Sequence, residues 1–275
     1  MHAITARGLR KTYGGTVAVD SLDLDVEQGT VLGFLGPNGA GKTTAIRMLS
    51  TVLEPDSGTF SVGGIPHTDP VRIRRRVGVL PESAGYPASE TGEEWLVYHA
   101  QLFGAPRREA LSTAQRLIGE VGLAERGGSP IRTMSRGMRQ RLGIARALVN
   151  DPDVVFLDEP TLGLDPAGQR QVLQLVTTIA RERGVTVVLS THLLAEVEQV
   201  CDRVLILNHG RLVSDGTVAE VASLAAGVPD RVLLNVPAEQ QQEALQVLLD
   251  NGIDAASASE GRLGEAFLAL TEDPP

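Results

Sequence analysis

A lysine and two threonines directly follow a glycine-rich segment near the start of the chain, in the stretch GPNGAGKTT at residues 36–44. Gly36, Gly41, Lys42 and Thr43 match the pattern G-x-x-x-x-G-K-[ST]. In that pattern backbone N–H groups surround phosphate oxygens, the lysine reaches the β- and γ-phosphates, and the hydroxyl ligates Mg²⁺. An ordinary glycine-rich turn is the alternative. The predicted nucleotide-binding residues of this segment are Gly36, Pro37, Asn38, Gly39, Ala40, Gly41, Lys42, Thr43 and Thr44.

The elements that flank this segment fit a phosphate-binding loop. The apolar run TVLGFLG at residues 30–36 predicts a buried strand, and Ala45, Ile46, Leu49 and Leu53 recur at helical spacing after the loop. A loop between a strand and a helix points the positive end of the helix dipole at a bound anion. The order of strand, glycine loop and helix therefore favours a phosphate site over a chance match.

Two adjacent carboxylates end a second apolar run, in DVVFLDEPTLGLDP at residues 153–166. In a parallel sheet they would lie at the carboxyl edge, where ligands bind. Side chains alternate in direction along a strand, so Asp158 can hold Mg²⁺ while Glu159 faces the reaction centre and polarises the attacking water. Taken alone, the pair is also typical of a solvated acidic strand end. Together with the phosphate loop, it predicts a hydrolytic site.

Three further segments complete a recognisable order: TMSRGMRQRLGIARAL from Thr133, GLDP from Gly163 and LSTHLLAEVEQVCDRVLIL from Leu189. With the two motifs above, the chain resembles the ATP-binding cassette of ABC transporters over roughly residues 3–216. The resemblance implies an α/β fold of the P-loop NTPase class, with an antiparallel β-subdomain and an α-helical subdomain that carries the signature motif. It also implies ATP and Mg²⁺ as cofactors and ATP hydrolysis as the reaction.

The resemblance assigns roles to five more residues. Tyr13 matches the aromatic residue that stacks on adenine, and an exposed strand-edge tyrosine is an equally good interpretation. Ser135 and Gly137 match the signature motif, which binds the γ-phosphate held by another subunit, although Ser135 also fits a simple helix N-cap. Asp165 matches the loop that crosses the interface between two cassettes, and a turn residue before proline is its alternative. His192 matches the switch histidine that hydrogen-bonds the γ-phosphate.

Two departures from the usual family pattern are informative. The signature, usually written L-S-G-G-Q, here reads Met-Ser-Arg-Gly-Met at residues 134–138. Glu82 stands where most cassettes carry a glutamine that reaches Mg²⁺ and the attacking water, and a glutamate oxygen can still ligate magnesium. Both variants resemble the branch that serves drug, antibiotic, lipid and sodium exporters, which includes the daunorubicin-resistance type. The sequence therefore favours export over import.

The resemblance places the cassette at residues 1–216 and a small C-terminal α+β accessory region at 217–275. Alternating residues at 21–26 and 59–62 predict strands of the β-subdomain, and "NHG" at residues 208–210 predicts a hairpin. The helical subdomain is expected at about 83–150, where Thr91 and Glu94 form a capping box. One apolar helix face is predicted from Leu96, His99, Leu102 and Phe103.

The neighbouring residues Gly85, Tyr86 and Pro87 are candidates for contact with a membrane partner, and an ordinary exposed loop is their alternative. The accessory region is expected to contain a strand at 231–236, an amphipathic helix at 238–252 and a final helix at 263–271. That final segment resembles the tail helix of drug-exporter ATPases, which implies a packing or regulatory role.

Composition excludes several other classes of protein. The net charge of −9 and the pI of about 5.1 argue against a nucleic-acid partner, which needs a basic face. The single cysteine, Cys201, fits a reducing compartment, and no apolar run approaches the length of a spanning helix. We therefore expect a soluble, cytoplasmic chain, and the resemblance to ABC transporters implies a peripheral position at the cytoplasmic face of the cell membrane.

The leading hypothesis is a motor subunit whose ATP-driven dimerisation powers a separate transmembrane permease. The second cassette is expected to be another copy of this chain or a homologous one, docked head to tail. A non-transport ABC ATPase acting on ribosomes or DNA is the main alternative. Such proteins normally carry two cassettes in one chain or a long coiled-coil insertion, and this chain has neither. Glu159 argues against a third class, a regulatory subunit without turnover.

Overall fold

A computed structural model describes residues 2–224, 236, 241–251, 253 and 262–271. The strands are β1 His2–Tyr13, β2 Thr16–Glu27, β3 Val31–Leu35, β4 Ser57–Val62, β5 Ile65–Pro66, β6 Val77–Leu80, β7 Val154–Asp158, β8 Thr186–Thr191, β9 Arg203–Asn208 and β10 Arg211–Thr217. The helices are α1 Lys42–Leu49, α2 Pro70–Arg74, α3 Gly92–Leu102, α4 Arg107–Glu120, α5 Arg136–Ala147, α6 Pro166–Arg183, α7 Leu194–Val200, α8 Val218–Leu224, α9 Gln241–Asp250 and α10 Arg262–Thr271. Two short 3₁₀ turns lie at Ala124–Arg126 and Ile131–Thr133.

The larger sheet has the strand order β10-β9-β3-β8-β7-β6. Its pairs are parallel except β9 with β10, which form the predicted hairpin. Every residue of β3, β7 and β8 is buried, which is typical of parallel strands covered on both faces. The carboxyl ends of these three adjacent strands therefore meet at one edge of the sheet.

A second, antiparallel sheet has the order β2-β1-β4-β5 and includes both strands predicted for the β-subdomain. Alternate residues of β2, among them Leu22, Leu24 and Val26, point into the core. They share one hydrophobic cluster with Ile46 of α1 and Phe34 of β3. Helix α1, which follows the glycine loop, thus packs between the two sheets. This arrangement confirms the predicted α/β fold class.

The capping box that begins α3 is confirmed. The Thr91 hydroxyl accepts a hydrogen bond from the Glu94 N–H, and the Glu94 carboxylate accepts one from the Thr91 N–H. Helix α5, which carries the signature residues, packs on this region and buries Leu142 and Ala145.

The apolar face predicted for α3 is partly wrong. Leu96 is fully buried and His99 is half-buried, but Leu102 and Phe103 are 63% and 49% exposed. The helix ends at Leu102 and the chain reverses at once through Gly104, so its last turn projects beyond the core. Trp95 and Ala100 fill the interior in their place.

Near the C-terminus, helix α9 falls within the segment predicted at 238–252, and helix α10 begins one residue before the segment predicted at 263–271 and ends with it. The predicted strand at 231–236 lies outside the described residues except for Val236. Helix α10 packs on α8, and its Leu263 is fully buried beside Leu35 and Val197. The division at residue 216 stays a prediction. Within the described residues, no helix is both long and apolar enough to cross a membrane.

Gly78→Ala tests how closely β6 and α5 approach each other. A Cβ at Gly78 would lie 1.8 Å from the carbonyl oxygen of Ala147, the last residue of α5, so the backbones must separate. We expect a loss of about 1–3 kcal/mol in the free energy of unfolding, measured by urea denaturation. Gly119→Ala is the control, because Gly119 lies in α4 with nothing within 4 Å, and it should be neutral or stabilising. Equal stability of the two variants would refute the backbone contact.

Candidate functional site

The glycine loop joins β3 to α1, as the sequence predicts. Two of its glycines are required by close backbone contacts. A Cβ at Gly36 would lie 2.3 Å from the carbonyl oxygen of Leu207, and one at Gly41 would lie 2.3 Å from that of Ala18. Gly41 also adopts a left-handed φ of 104°, which L-residues with side chains rarely adopt. The loop is therefore held tightly against its neighbours.

Lys42 is the buried cation of the site, only 6% exposed. Its Nζ donates hydrogen bonds to the carbonyl oxygens of Gly36 at 2.7 Å and Pro37 at 3.2 Å, and lies 3.7 Å from Glu159 Oε1. Burial lowers the pKa of Lys42 below its ordinary value, and the carboxylates of Glu159 and Asp158 oppose that effect. The ammonium group hydrogen-bonds to carbonyl oxygens that phosphate oxygens could replace.

Asp158 lies at the end of β7 and is buried. Its Oδ1 accepts hydrogen bonds from Thr43 Oγ1 at 2.9 Å and from Ser190 Oγ at 2.7 Å. The hydroxyl that follows Lys42 and the first carboxylate therefore meet, as predicted. Ser190 was missed by sequence reasoning, although its place directly after the apolar run at residues 187–189 was a usable signal.

Glu159 follows the last residue of β7 and adopts a left-handed φ of 48°. Its backbone N–H donates to Ser190 Oγ at 2.9 Å, and its Oε2 lies 3.0 Å from His192 Nδ1. The two adjacent carboxylates contact different partners, as expected, but the turn after Asp158 rather than the strand pleat separates them. Burial raises the pKa of Glu159, while His192 and Lys42 act in the opposite direction. The site thus holds a carboxyl with increased basicity beside a histidine.

The remaining predicted residues lie outside this cluster. Tyr13, at the end of β1, is 46% exposed, and Glu82 is exposed after β6. Ser135 is the N-cap of α5 and accepts a hydrogen bond from the Met138 N–H, and Gly137 lies in the first turn of that helix. Asp165 is likewise the N-cap of α6.

A groove lies on the helical side of the molecule, lined by Gly85, Tyr86, Pro87, Glu90, Trp95 and Tyr98. Of the three loop residues expected to be exposed, only Gly85 is, because Tyr86 packs its ring 5.2 Å from that of Trp95 and Pro87 is half-buried. Burial raises the pKa of Tyr86 to about 12. Tyr98, at 55% exposure, presents the largest free aromatic surface of the groove.

Comparison with known proteins agrees with this fold. A family model described as "ABC transporter" matches residues 19–162. The daunorubicin/doxorubicin resistance ATP-binding protein DrrA of Streptomyces peucetius is 43% identical over 247 residues, which cover 90% of this chain and 74% of that protein. The bacitracin transport ATP-binding protein BcrA of Bacillus licheniformis is 40% identical over 77% of this chain and 69% of that protein.

A dimeric ATP-binding cassette solved in a post-hydrolysis state, bound to ADP and Pi, superimposes with a TM-score of 0.71. It is 23% identical and the match covers 78% of this chain and 98% of that one, so it supports the fold. A buried P-loop lysine beside paired carboxylates on a parallel sheet defines an ATP-hydrolysing cassette. The chain belongs to the ABC transporter family and is an ATP-binding, ATP-hydrolysing subunit of the exporter type.

Glu159→Gln tests the burial of the second carboxyl. Because the folded-state pKa of Glu159 lies above its ordinary value of 4.5, its charged form is disfavoured on folding. The protonated form contributes stability below pH 4.5, and that stability is lost as pH rises through the raised pKa. Replacement by an uncharged glutamine should therefore raise the melting temperature of the nucleotide-free protein at pH 8, with the gain shrinking toward pH 5.

The matched control is Glu198→Gln, which changes an exposed glutamate on α7. Melting curves of both variants and the parent chain are compared at each pH. A gain at pH 8 that is equally large for Glu198→Gln, or a loss of stability for Glu159→Gln, would contradict burial as the cause.

Proposed function

We propose that this chain hydrolyses ATP to drive efflux of a drug, antibiotic, lipid or ion through a separate membrane permease. The observation that supports this proposal is the cluster in which Lys42, Thr43, Asp158, Glu159 and His192 converge at one sheet edge around the buried Lys42 and Asp158. Relatives named for daunorubicin/doxorubicin resistance and for bacitracin transport support a small-molecule export role. In this proposal residues 1–216 form the cassette and residues 217–275 the accessory region.

Binding of ATP exchanges one set of partners of Lys42 for another. Its ammonium leaves the carbonyl oxygens of Gly36 and Pro37 for oxygens of the β- and γ-phosphates, while N–H groups of the loop residues after Pro37, which has none, donate to the remaining phosphate oxygens. Because the lysine is buried, this charge interaction is weakly screened by water. Tyr13 stacks on the adenine ring from its exposed position at the end of β1.

Hydrolysis assigns separate tasks to Glu159 and His192. Glu159 accepts a hydrogen bond from the attacking water and orients it in line with the γ-phosphoryl group. The raised pKa of its carboxyl makes it a better proton acceptor than an exposed glutamate. His192, 3.0 Å from Glu159, holds that carboxylate in place and donates a hydrogen bond to the γ-phosphate.

The oxygen atoms around Asp158 fit Mg²⁺. Thr43 Oγ1 and Asp158 Oδ1 lie 2.9 Å apart, and hydroxyl and carboxylate oxygens are the donors that this hard cation prefers when nucleotide phosphates complete its shell. Thr43, Asp158 and Glu82 would hold the ion, which when bound neutralises charge on the β- and γ-phosphates. Among the described residues, no three His, Cys, Asp or Glu side chains form a metal-binding group, consistent with an ion carried in by the nucleotide.

A complete site needs a second cassette. Ser135 caps α5 and Gly137 lies in its first turn, and within the described residues the Ser135 hydroxyl oxygen accepts a hydrogen bond from the Met138 N–H. The Ser135 O–H and the Gly137 N–H would donate to a γ-phosphate held by another chain. Asp165 lies in the turn that leads from the catalytic carboxylates to α6 and would cross the interface. The partner is a second copy or a homologous cassette.

The groove at Tyr86 and Tyr98 is the proposed contact with the permease, which would hold the chain at the cytoplasmic face of the membrane. It lies between the segment that follows β6, which begins near Glu82, and helix α3. A movement of the permease can thus be transmitted to the bound nucleotide through the short segment between β6 and α3. The net charge of −9 disfavours the alternative of a ribosomal or DNA partner.

Affinity purification from native membranes tests the export function. The tagged chain, solubilised in mild detergent, should retain a polytopic membrane protein in near-equal amount, identified by mass spectrometry. Tyr98→Ala should reduce that amount about tenfold, since aromatic side chains dominate interface energies, while ATPase activity of the isolated chain persists. Leu111→Ala, an exposed apolar residue on α4, is the control. Recovery of ribosomal or DNA-bound proteins instead would overturn the export function.

A further inference from the structure

His192 follows the last residue of β8, and the backbone on both sides of it is held by one buried pair. Thr191 Oγ1 donates a hydrogen bond to Glu196 Oε2 at 2.6 Å. The same hydroxyl accepts a hydrogen bond from the Leu193 N–H at 3.0 Å. Thr191 is fully buried and Glu196 is 4% exposed. One hydroxyl therefore links the residue before His192, the residue after it and the first turn of α7.

The position of this pair connects it to the catalytic cluster. Thr191 pairs with Leu35 of β3, the residue directly before the glycine loop. His192 itself is 37% exposed, and within the part of the chain that the structure describes its imidazole hydrogen-bonds to Glu159, at the 3.0 Å described above. An exposed side chain has little packing to fix its rotamer, so the direction of the imidazole depends on the backbone that carries it.

We infer that Glu196, acting through Thr191, is a positioning residue that holds His192 against Glu159 for ATP hydrolysis. The inference rests on the proposed role of His192. Glu196 Oε1 is buried and has no hydrogen-bond partner among the described residues, so Thr191 is the contact that fixes the carboxylate. A buried carboxylate with a single strong hydrogen bond is costly to keep, and a role at the active site accounts for its presence.

Thr191→Val removes the hydroxyl while keeping the shape of the side chain. We expect kcat for ATP to fall about tenfold with KM changed less than twofold, because binding of the nucleotide depends on the glycine loop and only turnover depends on the histidine. Thr191→Ser retains the hydroxyl and should restore kcat to within about twofold of the parent chain.

Thr186→Val is the matched control for the loss of stability. Thr186 lies at the other end of β8, is fully buried, and its hydroxyl accepts a hydrogen bond from the Gly29 N–H at 2.9 Å. The same substitution there removes a comparable buried hydrogen bond far along the strand from His192, so kcat should be unchanged. A fall in kcat as large for Thr186→Val as for Thr191→Val would overturn the inference.

A double-mutant cycle with His192→Ala separates positioning from general damage. In the His192→Ala background, Thr191→Val should lower the residual single-turnover rate by less than twofold, because the group it positions is gone. An undiminished tenfold fall there would show that Thr191 acts independently of the histidine, and would refute the inference.

A spectroscopic measurement does not depend on activity. In ¹H–¹³C spectra of chain labelled at its five histidines, the His192 imidazole signal is assigned by its loss in His192→Ala. It should shift in Thr191→Val and in Glu196→Ala, and remain in place in Thr186→Val. An unmoved signal in Thr191→Val refutes positioning, whereas wild-type turnover by His192→Ala would instead refute the proposed function.

Discussion

The burial of a single ammonium group, that of Lys42, constrains the whole nucleotide site. A cation removed from water must be given new partners, and here they are two loop carbonyls and a carboxylate 3.7 Å away. The carbonyls can turn inward because Gly36 passes within contact distance of the Leu207 backbone, where no side chain fits. Phosphate oxygens satisfy the same cation with full negative charges. The site is therefore assembled before the nucleotide binds. Its buried cation is satisfied best when phosphate oxygens replace the loop carbonyls.

The parallel sheet brings together residues that are far apart in sequence. Strands β3, β7 and β8 are adjacent and buried, and their carboxyl ends deliver Lys42, the pair Asp158 and Glu159, and His192 to one edge. Ser190 connects two of these strand ends, because its hydroxyl contacts both the Asp158 carboxylate and the Glu159 N–H. A shift of β8 relative to β7 would disturb Asp158, the proposed metal ligand, and Glu159, the residue proposed to orient water, together. Apolar packing of the sheet thus fixes the chemistry at its edge.

The local sequence predicted those features that depend only on residues close together in the chain. The strand, glycine loop and helix around Lys42, the capping box at Thr91 and the N-cap at Ser135 each follow from a few neighbouring residues, and the structure has them. Contacts that depend on strand order could not be predicted in this way. The link from Ser190 to Asp158 exists because β8 lies beside β7, an arrangement that no single segment encodes.

The prediction of one apolar face on α3 failed for a related reason. Helical spacing places Leu102 with Leu96, but it does not reveal that the helix ends there and that its last turn extends past the neighbouring helices. Similarly, Tyr86 was expected at the surface because it lies in a loop, whereas its ring packs against that of Trp95. Burial of a side chain depends on how the elements pack. Sequence periodicity alone therefore predicts burial for some side chains that are exposed and misses others that are buried.

The most direct test of the shared, lysine-centred ATP site is the association state of Glu159→Gln measured by size-exclusion chromatography with light scattering. With ATP and Mg²⁺ present, the variant should bind nucleotide without turnover and elute at twice the 29.1 kDa mass of one chain. Adding Lys42→Ala to it should abolish the dimer while circular dichroism shows an unchanged fold. Hydrolysis by Glu159→Gln at the parent rate, or an ATP-dependent dimer that survives Lys42→Ala, would contradict the site described above.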